Sequence, residues 1–126
     1  VLLFCTSLMS CITDTIHRFD VTNASSDTLF FRYQVYGDDS VYVEYTKPNM
    51  KYDIRFLYKD EYGKANPLNG LEILDYFKII EFVKSSPDTF KINSTNIESL
   101  LSQTEYCNTT MIKYTYLIKI TDEHLE

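Results

Sequence analysis

The chain has 126 residues with 12 basic against 18 acidic side chains, a net charge of −6, and an isoelectric point near 4.8. That length suits one domain with a core of its own. The acidic balance, with Arg18, Arg32, Lys47, Lys51, Arg55 and Lys59 scattered singly, offers no footprint for phosphate backbones or anionic lipid, so nucleic acid is excluded as a partner. Three glycines in all leave little from which to build a phosphate-binding loop.

Val1 to Ser10 carries no charged residue and no turn former. It is about half the ~20 apolar residues that span a bilayer, and fits the ~7–15-residue apolar region of an export signal better. Its end, Leu8-Met9-Ser10-Cys11, resembles the lipobox of bacterial lipoproteins: an aliphatic residue, a tolerant position, a small residue, then cysteine. The resemblance implies a diacylglycerol thioether on Cys11, cleavage between Ser10 and Cys11, and residues 1–10 as a truncated lipoprotein signal peptide. Residues 11–126 then form a single domain held to the membrane through lipid on Cys11. The competing expectation is a short buried strand, with Cys11–Cys107 as the disulfide to test. With the leader removed and Cys11 alkylated, Cys107 is expected to be a lone thiol that packs as a small hydrophobe.

Beyond Cys11 the dominant period is two, the mark of strands buried on one face. Phe19-Asp20-Val21 is a short candidate. Leu29, Phe31, Tyr33 and Val35 form one apolar face against Arg32 and Gln34. Gly37-Asp38-Asp39-Ser40 reads as a hairpin turn, after which Val41-Tyr42-Val43-Glu44-Tyr45 repeats the alternation with Tyr42 off the core face. Lys47-Pro48-Asn49 supplies a further turn. Tyr52, Ile54, Phe56 and Tyr58 then alternate with Asp53, Arg55 and Lys59. Tyr62 to Asn69 reads as a loop, and Leu71 to Phe77 is ambiguous between helix and strand. Ile80-Glu81-Phe82 and Phe90-Lys91-Ile92 are short candidates on either side of a turn at Ser85 to Asp88. Thr95-Asn96-Ile97-Glu98 has the capping-box pattern of a short helix. Ile112, Tyr114, Tyr116, Ile118 and Ile120 complete the clearest strand. The expected fold is all-β: an antiparallel β-sandwich, immunoglobulin-like or transthyretin-like, of about seven strands with one short helix.

Val21-Thr22-Asn23-Ala24-Ser25-Ser26-Asp27-Thr28-Leu29-Phe30 and the closing Tyr116 to Leu125 resemble the first and last strands of small uncharacterised lipoproteins of Bacteroidota. The resemblance implies a β-sandwich at the cell envelope and brings no catalytic residues. Ile12, following the cysteine where an Asp is associated with inner-membrane retention, points to the outer membrane. Thr15, Thr28 and Ser40 each follow Asp and precede an aliphatic residue, as O-glycosylation sites of such proteins do. Asn23, Asn93 and Asn108 instead fit the eukaryotic N-glycosylation acceptor, which keeps a soluble secreted eukaryotic glycoprotein as the alternative.

Chemistry is sparse. His17 and His124 belong to no recognisable nucleophile or metal motif. Asp38-Asp39 and Asp60-Glu61 lack the spacing of a Ca²⁺ loop. No metal, no cofactor and no catalytic residue is expected, and a small hydrolase using the acidic loops is the weakest alternative. Of the eleven tyrosines, Tyr36, Tyr42, Tyr62 and Tyr76 are the candidates for surface contacts with an envelope protein or a glycan. The functional expectation is a lipid-anchored, non-enzymatic interaction or accessory module.

Overall fold

A computed structural model describes residues 14–60, 67–84, 88–107 and 111–126. The protein is all-β, with eight strands among the described residues: β1 Asp14–Asn23, β2 Leu29–Val35, β3 Tyr42–Thr46, β4 Lys51–Asp60, β5 Phe77–Val83, β6 Thr89–Lys91, β7 Leu101–Cys107 and β8 Met111–Ile120. They form two four-stranded sheets, ordered β4-β1-β8-β7 and β3-β2-β5-β6. Three short helices among the described residues close the ends: α1 Gly70–Leu74, α2 Ile97–Leu100 and α3 Asp122–Leu125.

The core lies between the sheets and follows the period of two. Phe19 and Val21 of β1, Ile54 of β4, and Ile112, Tyr114, Tyr116, Ile118 and Ile120 of β8 face Leu29, Phe31, Tyr33, Phe77, Ile80 and Phe82 of the other sheet. Rings meet across the layers: Phe19 lies 5.0 Å from Phe77 and Phe31 lies 5.3 Å edge-on from Tyr52. Ile73, Ile97, Leu100 and Leu125 of the helices seal the margins.

Four expectations require correction. The sheets are not wholly antiparallel, because β1 pairs with β8 in parallel register from Asp14↔Met111 to Asn23↔Ile120. A parallel pair needs a crossover, and here the crossover is everything between the two strands. Second, Phe19–Val21 is the middle of a ten-residue central strand. Its inward positions include Thr15, His17 and Asn23, polar groups with little room for water, so the alternation was disguised. Third, Leu101–Cys107, whose sequence lacks any apolar alternation, is a strand paired on one edge to β8. Fourth, the described residues hold three short helices instead of one, and the cap of α2 is not Thr95: the Asn93 side chain accepts from the backbone N–H groups of Thr95 (2.9 Å) and Asn96 (3.2 Å). The segment from Leu71 to Phe77 is resolved as helix then strand, and Asn69 and Glu72 cap α1 reciprocally, at 2.9 and 3.2 Å.

The most consequential difference is the face of β3. The alternation placed Val41, Val43 and Tyr45 toward the core, yet Val43 and Tyr45 are 73% and 59% exposed. The register Leu29↔Thr46, Phe31↔Glu44, Tyr33↔Tyr42 sets Tyr42, Glu44 and Thr46 on the inner side instead. Opposed residues share a face, so the inward set of β2 dictates that of β3. Shifting by one residue would flip every side chain.

Of the polar groups inside the core, His17 is paired, whereas Thr15 Oγ1 is buried without a hydrogen-bond partner. His17 Nδ1 lies 2.8 Å from the Tyr116 hydroxyl, which also accepts the Leu68 N–H at 2.7 Å. The His17 ring stacks on Tyr114 and Tyr116 at 5.4 and 5.8 Å. Tyr116→Phe keeps the ring and removes both contacts. It should cost about 1–3 kcal/mol, the penalty for orphaning buried partners, read as a lower urea midpoint with an unchanged slope.

Candidate functional site

β3 and β4 are edge strands of different sheets, joined through a turn at Lys47–Met50 in which Asn49 takes a positive φ of 64°. Where these edges part, the inward residues of β3 face those of β4 across a cleft of about 570 Å³, within the ~300–1,000 Å³ range of small-ligand sites. Tyr33, Tyr42 and Tyr52 supply its aromatic surface, and Asp38, Glu44 and Asp53 its carboxylates. Tyr33 and Tyr42 stack at 5.2 Å with rings 21° apart, and Tyr52 lies 6.4 Å from Tyr33.

Hydroxyls of the cleft bond to its own groups. Tyr42 donates to Asp38 Oδ2 at 2.7 Å, while Asp38 Oδ1 accepts the Ser40 N–H at 2.9 Å. The Ser40 backbone bond, then the Tyr42 hydroxyl, holds the Asp38 carboxyl below its usual range. Burial pushes the Tyr52 phenol well above its ordinary value, reinforced by its hydrogen bonds to Tyr33 and Glu44. Burial likewise raises Tyr33.

Asp53, which lines the cleft, sits opposite Asp20 of β1. Arg18 bridges them, 3.3 Å from Asp20 Oδ1 and 2.7 Å from Asp53 Oδ2. Lys51 Nζ, the lysine of the cleft lining, lies 3.8 Å from Asp20 Oδ2. Asp53 Oδ1 is buried without a hydrogen-bond partner. Burial of Asp20 pushes its carboxyl up, more than the Arg18 guanidinium pulls it down.

The sites expected from sequence are dispersed. Of the three described tyrosines among them, Tyr42 alone reaches the cleft. Tyr36 is exposed under the Lys78 ammonium, 5.6 Å from its ring centre, Tyr76 packs partly against the core, and Tyr62 lies outside the described residues. Leu8, Met9, Ser10, Cys11 and Asn108 also lie outside them. Thr28, Ser40 and Asn93 are exposed, but Thr15 and Asn23 are fully buried, so a glycan on either has no room in the folded chain. Asn23 is instead a structural knot: its amide donates to the carbonyls of Asp27 and Thr46, both at 2.8 Å, and its oxygen accepts the Ser25 N–H at 2.9 Å. His17 is a core residue. His124 accepts the Thr121 N–H at 3.0 Å and stacks on Phe90 at 5.3 Å. Cys107 is disulfide-bonded, not the lone thiol expected, and the other two cysteines, Cys5 and Cys11, lie outside the described residues.

Tyr33 and Tyr52 were missed because alternation assigned them to the core. The signal was their identity: a phenol at an inward position needs a polar partner for its hydroxyl. No group of three or more His, Cys, Asp or Glu among the described residues is placed to hold a metal ion. No protein-family model, curated protein or solved structure matches this chain significantly.

Two pH effects follow. A raised pKa contributes stability that is present below the unfolded value and lost as pH rises through the folded one. For Tyr33, Tyr52, Tyr114 and Tyr116, all raised by burial, that places the loss above pH 10, the ordinary phenol value. Phenolate absorbance at 295 nm should therefore include a steep step that coincides with loss of the β circular dichroism signal. For Asp20 the same rule runs from the ordinary 3.8 upward. Asp20→Asn, uncharged throughout, should gain stability relative to the parent as pH climbs from 3 to 7, measured by urea unfolding at both values.

Proposed function

We propose that this chain is a lipid-anchored module of the bacterial cell envelope, at the outer membrane, that works by binding and not by catalysis. The observation that carries the reading is Leu8-Met9-Ser10-Cys11, placed just ahead of the first described strand. Three chain steps separate Cys11 from Asp14, a reach of at most about 11 Å. The end of the sheet that carries Asp14, Asp60 and Met111 would thus face the membrane, and a diacylated cysteine gives durable attachment where one acyl chain does not. Among the described residues no helix is long and apolar enough to cross a membrane.

We read the two sheets as a sandwich. An immunoglobulin constant-type arrangement keeps the first two strands in one sheet, whereas β1 and β2 are in different sheets, which favours the transthyretin-like member of the pair. The binding role is supported by the tyrosine and carboxylate cleft, and by two histidines engaged in packing and helix capping. An envelope protein or a glycan is the class of partner, brought to high effective concentration by tethering.

Metabolic labelling with an alkyne fatty acid should mark the parent protein and leave Cys11→Ala unlabelled. Equal labelling of the two would reject the anchor.

The oxidised Cys107 favours a second reading. In the register Cys107↔Ile112 and Ile112↔Thr15, Cys107 lies at the end of the sheet that carries Asp14, two strand spacings or about 10 Å from Thr15. A Cys11–Cys107 disulfide excludes a thioether on the same sulfur, and disulfides belong to exported proteins. Non-reducing peptide mapping that recovers this pair in the mature chain would establish a soluble secreted module instead.

A further inference from the structure

Exposed apolar side chains are unevenly spread over the described residues. Phe30, Val41, Val43 and Tyr45 are 51%, 47%, 73% and 59% exposed, and all lie on β2, on β3 or one residue before β3. Phe30 opposes Tyr45 in register and Arg32 opposes Val43, so these residues share the outer face of their sheet. An exposed apolar patch of this kind marks a contact surface. The same residues border an open backbone. β3 pairs with β2 along one side in an unbroken register, and no described strand pairs with its other side. Natural edges are guarded by lysine, by proline, by a bulge or by shortness. Two of the other margins are guarded in this way: β6 has three residues, and β4 carries Lys51 and a register shift against β1. β7 exposes the polar run Ser102, Gln103 and Thr104. From Val41 to Thr46 there is no lysine, proline or bulge.

We propose that β3 pairs antiparallel with β3 of a second copy of this chain, about a two-fold axis through Val43. A two-fold axis normal to the sheet keeps the two outer faces together and admits only registers in which some residue opposes its own copy. Centred on Glu44, two carboxylates meet directly, which is destabilising. Centred on Tyr42, Tyr45 meets Asp39. Centred on Tyr45, Val43 meets Lys47. Centred on Val43, each outward apolar residue finds an apolar partner: Val43 meets Val43 of the copy, and Tyr45 meets Val41. In that register Glu44 meets the uncharged Tyr42. Inward charge on an edge strand ordinarily discourages pairing; here Glu44 excludes one register and leaves another open, so it selects instead of forbidding. The strand complements itself, which is why the occupant is a second copy and not a foreign segment. Strand addition joins main-chain hydrogen bonding to burial of the alternate side chains. The net charge of −6 on each copy opposes it, so the association is salt-dependent. This pairing goes beyond the envelope reading and does not depend on how the chain is attached.

Sedimentation velocity of the full chain from about 1 μM to about 1 mM tests it, a range that covers weak interfaces. The parent should pass from monomer to dimer as concentration rises. Added salt, by screening the repulsion between two acidic chains, should move that transition to lower concentration. Val43→Lys sets two ammonium groups opposite each other on the axis and should raise the dissociation constant at least about tenfold. Tyr106→Lys, on the exposed side of β7, should leave it unchanged. A cross-link reads the register and keeps the test open should Val43→Lys fail to fold. Val43→Cys should yield a covalent dimer on mild oxidation, since residue 43 opposes its own copy within disulfide reach. Tyr45→Cys and the parent should not. A parent that stays monomeric throughout, a dimer that a folded Val43→Lys leaves intact, or a dimer cross-linked equally by Tyr45→Cys overturns the proposal. A monomeric parent that floats with phosphatidylcholine vesicles, when Val43→Lys does not, overturns it in favour of a lipid surface. Fatty-acid labelling remains a separate readout, so loss of one reading leaves the other standing.

Discussion

The pairing of β1 with β8 is the constraint on which the rest of the molecule depends. The strands lie side by side at the centre of one sheet, paired over ten positions, with β2 to β7 strung between them. Each strand sends its inward residues to the same buried layer, where Phe19, Val21, Tyr116 and Ile118 exclude water. In that layer the His17–Tyr116 contact is a directional bond between the two strands. A buried pair of this kind fixes register more firmly than apolar packing alone, because a slip would leave both polar groups unsatisfied in a low-dielectric interior. The Tyr116 hydroxyl also holds the Leu68 backbone just before α1, so the centre of the sheet and the end of the fold are tied at one oxygen.

Placing β1 and β8 centrally forces β4 and β7 to the margins of their sheet, and β3 and β6 to the margins of the other. The polypeptide passes from β3 to β4 and so from the edge of one layer to the edge of the next. The turn between them is stitched to the end of β1 by Asn23, whose N–H donates to the Met50 carbonyl at 2.9 Å while its own carbonyl accepts the Asn49 N–H at 2.8 Å. From that fixed point the two edges separate, and the space between them is the cleft.

The orientation of β3 decides the character of that space. With Tyr42 and Glu44 turned inward and Val43 and Tyr45 outward, the strand contradicts its own hydrophobic pattern. The inner side becomes a polar, aromatic wall, and the outer side joins Phe30 and Val83 in an apolar surface. Phe30 and Tyr45 are directly paired there, with ring centres 6.2 Å apart, and the Arg32–Glu81 ion pair lies beside them. A local sequence preference has yielded to the pairing demanded by β2, whose inward residues are large and leave no alternative register. Such conflicts between local pattern and fold are where binding sites tend to be found.

By itself the sequence determined most of the strand-forming stretches, the turns at Gly37 and Pro48, and the inward sets of β2 and β8. Alternation is a property of neighbouring residues, and it survives wherever one face is buried and the other wet. It did not determine that Asp14–Asn23 is a central strand or that Leu101–Cys107 is a strand at all, since buried polar groups in the first and a one-sided edge in the second erase the periodic signal. Nor could it bring Tyr33, Tyr42 and Tyr52 together with Asp38, Glu44 and Asp53. Those residues come from three strands and a turn, and the face that Tyr42 and Glu44 present is set by hydrogen bonds to another strand. Only the tertiary structure decides that, because the choice between the two faces of an edge strand is made by its partner and not by its own side chains.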